Sequence, residues 1–145
     1  MIMEWKKLET QEDIEKLLKF YDYFEDTFLV RFTFESGNYV DSKEWVGYEV
    51  NDNNLIVRFD RLNNNLNDPY AIELLFERTR RMNCIFPFWG KDNWTAGIMY
   101  AKIVHNDNFF YWTEWRDFDP YNEEHLNYND FMLIEAYAIK WRIIE

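Results

Sequence analysis

The chain has 145 residues, 48% of them hydrophobic and 21% aromatic, and a formal net charge of −11. That content is too apolar for a disordered chain and enough for one folded domain spanning residues 1–145, while the acidity disfavours binding along a nucleic-acid phosphate backbone. The sequence contains no apolar run of the roughly 20 residues a membrane span needs. The single cysteine, Cys84, gives no disulfide framework, and the start Met1-Ile2-Met3-Glu4-Trp5 has no signal-peptide core. The expected setting is therefore cytoplasmic.

Thr10-Gln11-Glu12-Asp13 has the pattern of a capping box, and Ile14, Leu17, Leu18 and Tyr21 follow at the spacing of one helical face. This predicts an amphipathic helix ending near Tyr23. Phe24-Glu25-Asp26-Thr27 then joins it to a segment of period two, Phe28 to Glu35. Asp26 is expected to bond backbone N–H groups and fix the exit angle of the strand.

Ser36-Gly37-Asn38 reads as a turn. A second strand is expected within Tyr39–Val50, with Trp45 and Tyr48 packing inward, and a third over Leu55–Asp60. Arg61–Pro69 is an Asn-rich loop. Ile72–Glu77 and Arg81–Phe86 read as a fourth and fifth strand. Phe86–Trp94 is a loop by its Pro, Gly and Asn content. Gly97–Val104 and Phe109–Trp115 read as a sixth and seventh strand around a turn at His105–Asn108. The closing segment, Phe131–Ile144, has apolar residues at mostly odd positions and reads as a strand.

Short strands without intervening helices exclude a parallel α/β fold. The expectation is a mostly β (α+β) fold, with an N-terminal helix on an antiparallel sandwich or partly open barrel of about eight strands.

Charge is unevenly placed. Residues 107–130 hold seven acids and one base, a net of −6, whereas residues 77–91 carry a net of +3. The acidic stretch contains Trp112, Glu114, Trp115, Asp117, Asp119, Glu123 and Glu124. Trp, Tyr and Arg dominate the energetics of protein interfaces, and acids steer a basic partner toward them. These seven residues form the expected partner-binding set, for a basic protein. The other reading of this stretch is a solvated loop that keeps the protein soluble.

Phe88, Trp89 and Trp94 are the residues expected to close a small-ligand site if the fold is a ligand-binding β-barrel. The acid pairs Glu25-Asp26, Asp117-x-Asp119 and Glu123-Glu124 admit a carboxylate-dependent, glycoside-hydrolase-like alternative. Cys84 in its hydrophobic setting reads as a core thiol. His105 and His125 lack the spacing of a metal pair, so neither a cofactor nor a metal is expected.

The order of helix, Phe24-Glu25-Asp26-Thr27, Leu29-Val30-Arg31-Phe32, Ser36-Gly37, Leu55-Ile56-Val57-Arg58-Phe59 and Ile72-Glu73-Leu74-Leu75-Phe76 resembles a group of small bacterial proteins, some with immunity-type roles beside toxins. That group has Phe-His-Asp at the helix-to-strand join. Glu25 stands where its histidine would be, so a role for a titrating imidazole does not carry over. The resemblance implies an immunity-type role; joined to the acidic, aromatic stretch, the expectation is a non-enzymatic binding protein that blocks a basic toxin.

Overall fold

The structure is a computed structural model and describes residues 3–61, 71–84 and 97–144. In chain order its elements are β1 (Lys6–Lys7), α1 (Gln11–Phe20), a 3-10 turn (Asp22–Phe24), β2 (Thr27–Glu35), β3 (Tyr39–Asp41), β4 (Val46–Tyr48), β5 (Asn54–Arg61), β6 (Ala71–Asn83), β7 (Lys102–His105), β8 (Phe110–Thr113), α2 (Glu123–Leu126) and β9 (Leu133–Ile144). The fold is mostly β with one long helix. Among the described residues no helix is long and apolar enough to cross a membrane.

Helix α1 starts where the capping box predicts. Thr10 Oγ1 accepts the Asp13 N–H at 3.1 Å, and Asp13 Oδ2 accepts those of Glu9 and Thr10 at 3.0 and 3.1 Å. These backbone donors hold the Asp13 carboxyl below its ordinary value. A cap of this kind stabilises a helix by about 1 kcal/mol. Ile14, Leu17 and Leu18 are buried against the sheet.

Seven strands form one antiparallel sheet in the order β2-β5-β6-β9-β8-β7, with β1 pairing the C-terminal half of β9 beside β8. The sheet curls. Asp26 N–H donates to Ile98 O at 3.0 Å, Ile98 N–H to Thr27 O at 2.7 Å and Ala101 N–H to Tyr23 O at 2.8 Å. The segment entering β7 is thereby tied to the start of β2, at the opposite end of the strand order. Of the two architectures expected, the partly open barrel is the one that forms; α1, and not a second sheet, covers the core. Leu55, Val57 and Phe59 of β5, Ile72, Leu74 and Phe76 of β6 and Ile139 of β9 line that core with Phe24 and Trp112.

Four expectations need correction. The second strand is a separate two-stranded hairpin, β3–β4, because β5 pairs directly with β2. Trp45 lies in the turn of that hairpin at φ 59° and is 89% exposed, and Tyr48 is also exposed, so neither packs inward. The fourth and fifth strands are one strand, β6, carried through an irregularity between Thr79 and Arg81. The odd-position rule for the last strand holds only in its second half: core positions change from Ile134 and Ala136 to Ile139 and Trp141, while Tyr137 is exposed.

A smaller second cluster of Tyr111, Phe118 and Leu133, joined by Trp115 and Leu126, lies apart from the main core. It holds the acidic stretch in place.

Candidate functional site: the acidic loop and the helix-to-strand join

The loop from Glu114 to Asp130 is fastened along its length. Thr113 Oγ1 donates to Met132 O at 2.7 Å and accepts the Trp115 N–H at 3.1 Å. Lys102 Nζ reaches up from β7 and donates to Arg116 O at 2.6 Å and Phe118 O at 2.9 Å. Burial pulls the Lys102 ammonium below its ordinary value, while the charges of Asp117 and Asp119 pull it the other way. Asn106 Nδ2 donates to Pro120 O at 3.0 Å, and Arg81 donates to Leu126 O. Asn122 caps α2 by accepting the Glu124 N–H at 3.0 Å.

Aromatic packing anchors the loop from within. The Trp115 ring stacks on Phe131 at 5.1 Å and contacts His125 at 4.2 Å and Tyr128 at 5.2 Å. Phe118 is buried against Tyr111 at 5.3 Å. His125 Nδ1 accepts the Asp119 N–H at 3.0 Å, which places the ring proton of its neutral form on Nε2.

With the loop so held, Asp117, Asp119, Glu123 and Glu124 are exposed and Trp115 is half-buried. Five of the seven expected partner-binding residues thus belong to one surface loop. The other two do not face water in the same way. Trp112 is fully buried, its ring 5.9 Å from Phe24 and 5.4 Å from Phe59, so it serves the core and is removed from the binding set. Glu114 is half-buried, and desolvation pushes its carboxyl up. Phe88, Trp89 and Trp94 lie outside the described residues.

The second feature is the join at the end of α1. Asp22, Tyr23, Phe24 and Asp26 all have left-handed backbones, at φ 47°, 52°, 60° and 60°. Each such non-glycine residue costs on the order of 1–2 kcal/mol, so the surroundings must hold them. Phe24 is locked in the core, and the segment 98–101 bonds the backbone of Tyr23, Asp26 and Thr27. The expected role of the Asp26 side chain is not what forms: among the described residues its carboxylate accepts no hydrogen bond, and the residue is exposed. Aspartate suits this position because it tolerates the left-handed region better than most residues.

The strained turn opens a cleft of about 460 Å³ lined by Asp22, Tyr23, Glu25, Met99, Tyr100 and Arg116. Tyr23 and Tyr100 stack at 5.8 Å, and the Arg116 guanidinium lies 4.0 Å above the Tyr100 ring. Burial pushes the Tyr100 phenol up. Asp22 pairs with Arg61. Arg116 belongs to the acidic loop, so cleft and loop form one continuous surface.

Beneath the loop lies Glu135, a β9 carboxylate only 2% exposed. The Tyr111 hydroxyl, which accepts from Asn106 Nδ2 at 3.0 Å, lies beside it; the Arg80 guanidinium stands 3.8 Å from its Oε1, which has no hydrogen-bond partner among the described residues. Burial, then this carboxylate, pushes the Tyr111 phenol up to about 12. Among the described residues no three His, Cys, Asp or Glu side chains are grouped to hold a metal ion.

Sequence reading singled out the acids and missed Lys102, Tyr23, Tyr100 and Glu135. Lys102 sits in a strand with no local motif, and Tyr23 meets Tyr100 only through the fold. Glu135 carried a signal, a lone acid within an apolar strand. Comparison with protein-family models, with curated proteins and with solved structures finds no match to the chain.

Proposed function

We propose that the chain is a non-enzymatic binding protein that engages a basic protein partner through the acidic loop and the adjoining Tyr23–Tyr100 cleft. Blocking a basic toxin in the cytoplasm, an immunity-type role of the kind the resemblance implies, is one form of this activity. The observation that supports it is that Asp117, Asp119, Glu123 and Glu124 stand exposed on a loop whose backbone and rings are tied down. A solvating loop needs no such fastening. A preformed acidic surface loses less conformational entropy on binding than a mobile one.

The test separates a local face from net charge. One variant carries Asp117→Asn, Asp119→Asn, Glu123→Gln and Glu124→Gln. A control carries Glu9→Gln, Glu15→Gln, Glu35→Gln and Glu49→Gln, which are exposed residues elsewhere. Both lose four charges. Calorimetric titration with lysozyme, a small folded basic protein, should show the loop variant binding on the order of tenfold more weakly and the control close to wild type. Equal weakening in both variants would reduce the loop to its share of the net charge.

A further inference from the structure

The open side of the sheet near β1 holds three cations in one place. A cleft of about 560 Å³ is lined by Lys7, Arg78 and Lys140, with Tyr137, Asp52 and Glu77. Lys7 and Lys140 are directly opposed partners in the β1–β9 ladder. Like charges at such positions destabilise a sheet. Lys140 is paired with Glu77 at 3.2 Å, while among the described residues Lys7 and Arg78 have no ion-pair partner. The Asp52 carboxylate is turned against Gly37, where a Cβ would stand 2.8 Å from its Oδ2.

Arg78 is held in a conformation that arginine does not favour. It has φ 51° within β6, and its N–H donates to Asp52 O at 3.1 Å, just before the start of β5. An irregularity of this kind is usually filled by glycine, which bears no strain there. Here an arginine occupies it, with its guanidinium 5.4 Å from the Tyr137 ring centroid. Strain, opposed lysines and a concave opening coincide on a chain of charge −11. Within the cleft the three cations outnumber the two carboxylates, Asp52 and Glu77, so the local balance is positive; Glu9 and Asp107 line the adjoining cavity.

We propose that this cleft binds a small dianion bearing a phosphate group, held by Arg78, Lys7 and Lys140. A second cavity of about 340 Å³ shares Lys7 and Tyr137 with it and extends to Asn106 and Asn108, leaving room for an organic part. The ligand class is therefore a phosphate monoester of low molecular weight.

Arg78→Gly gives the sharpest test, because it removes the guanidinium and the strain together. Binding of inorganic phosphate and of phenyl phosphate is measured by calorimetry at fixed ionic strength, with chloride as the control anion. Thermal melting is recorded without ligand. The wild type should bind phenyl phosphate more tightly than phosphate, and both above chloride. Arg78→Gly should melt at the same or a higher temperature yet bind both phosphates on the order of tenfold more weakly, the loss of one charge-assisted contact. Lys7→Gln, at an exposed residue, should weaken both in the same direction. Wild-type binding no better than chloride, or undiminished binding by Arg78→Gly, would overturn the site. Phosphate binding as tightly as its phenyl ester would overturn the assignment of the organic part.

Discussion

The rings of Phe59 and Trp112 lie 5.4 Å apart, although β6 and β9 stand between their strands in the sheet. Three strand steps across a flat sheet would separate them by roughly 14 Å. The sheet therefore closes around these two rings, and Phe24 enters between them from the helix-to-strand join, at 4.9 and 5.9 Å. The same curl brings the start of β2 to the segment before β7, and so brings Tyr23 to Tyr100.

Phe59 and Trp112 should be energetically coupled. Phe59→Ala is expected to cost about 3–5 kcal/mol, as for a large buried ring. Trp112→Phe should cost less, under about 2 kcal/mol, because it also removes a buried indole N–H that has no acceptor among the described residues. A double-mutant cycle in urea should give a coupling of about 1 kcal/mol. Strict additivity would mean that the rings do not meet.

Asp26 tests whether the join is set by backbone conformation or by its carboxylate. Asn tolerates the left-handed region and Gly tolerates it best. Asp26→Asn and Asp26→Gly should therefore leave the melting temperature unchanged or higher, while Asp26→Ala should lower stability by about 1 kcal/mol. Equal loss in Asn and Ala variants would instead point to a role for the charge.

Local signals in the sequence reported local structure well. The capping box and the Ile14, Leu17, Leu18 face place α1, and alternation places β2, β5 and the second half of β9. The charged run from Glu77 to Arg81 reads as a break, yet β6 passes through it, because the backbone of Asn53 and Asp52 takes up the N–H groups of Thr79 and Arg78 at the irregularity. Trp45 reads as core since a tryptophan usually is; its place in a left-handed turn sends it to solvent. The exposure of Asp117, Asp119, Glu123 and Glu124 was legible from their polar surroundings. What ties their loop down was not. Lys102 reaching the carbonyls of Arg116 and Phe118 is a contact between strands and loop that no spacing encodes.

Cys84 is expected to be a slow nucleophile. Burial, then the nearby Glu114 charge, pushes its thiol up to about 11. Alkylation by iodoacetamide, followed by mass spectrometry, should be slow at pH 8 and accelerate toward pH 11. Glu114→Gln removes a negative charge, lowers the thiol value and should speed alkylation at pH 8. Because folding raises the thiol value, the associated stability is present below pH about 9 and is lost as pH rises toward 11. Cys84→Ala should flatten that part of the stability profile.

Lys102→Met keeps the length of the side chain and removes its two hydrogen bonds to the loop. A loss of about 1–2 kcal/mol is expected, since the ammonium is partly buried and charged. Amide exchange should quicken at residues 114–119 and remain unchanged in β5 and β6. Uniform quickening across the sheet would show that the loop and the barrel unfold as one unit.

The recognition role proposed for the acidic loop is tested most directly by the ionic-strength dependence of association. Stopped-flow mixing with lysozyme at increasing salt should show the association rate of the wild type falling steeply, by on the order of tenfold or more between low and physiological salt. The variant neutralised at Asp117, Asp119, Glu123 and Glu124 should associate slowly with a shallow slope. A wild-type rate indifferent to salt, or the same slope in both proteins, would contradict the assignment of this loop as the binding surface.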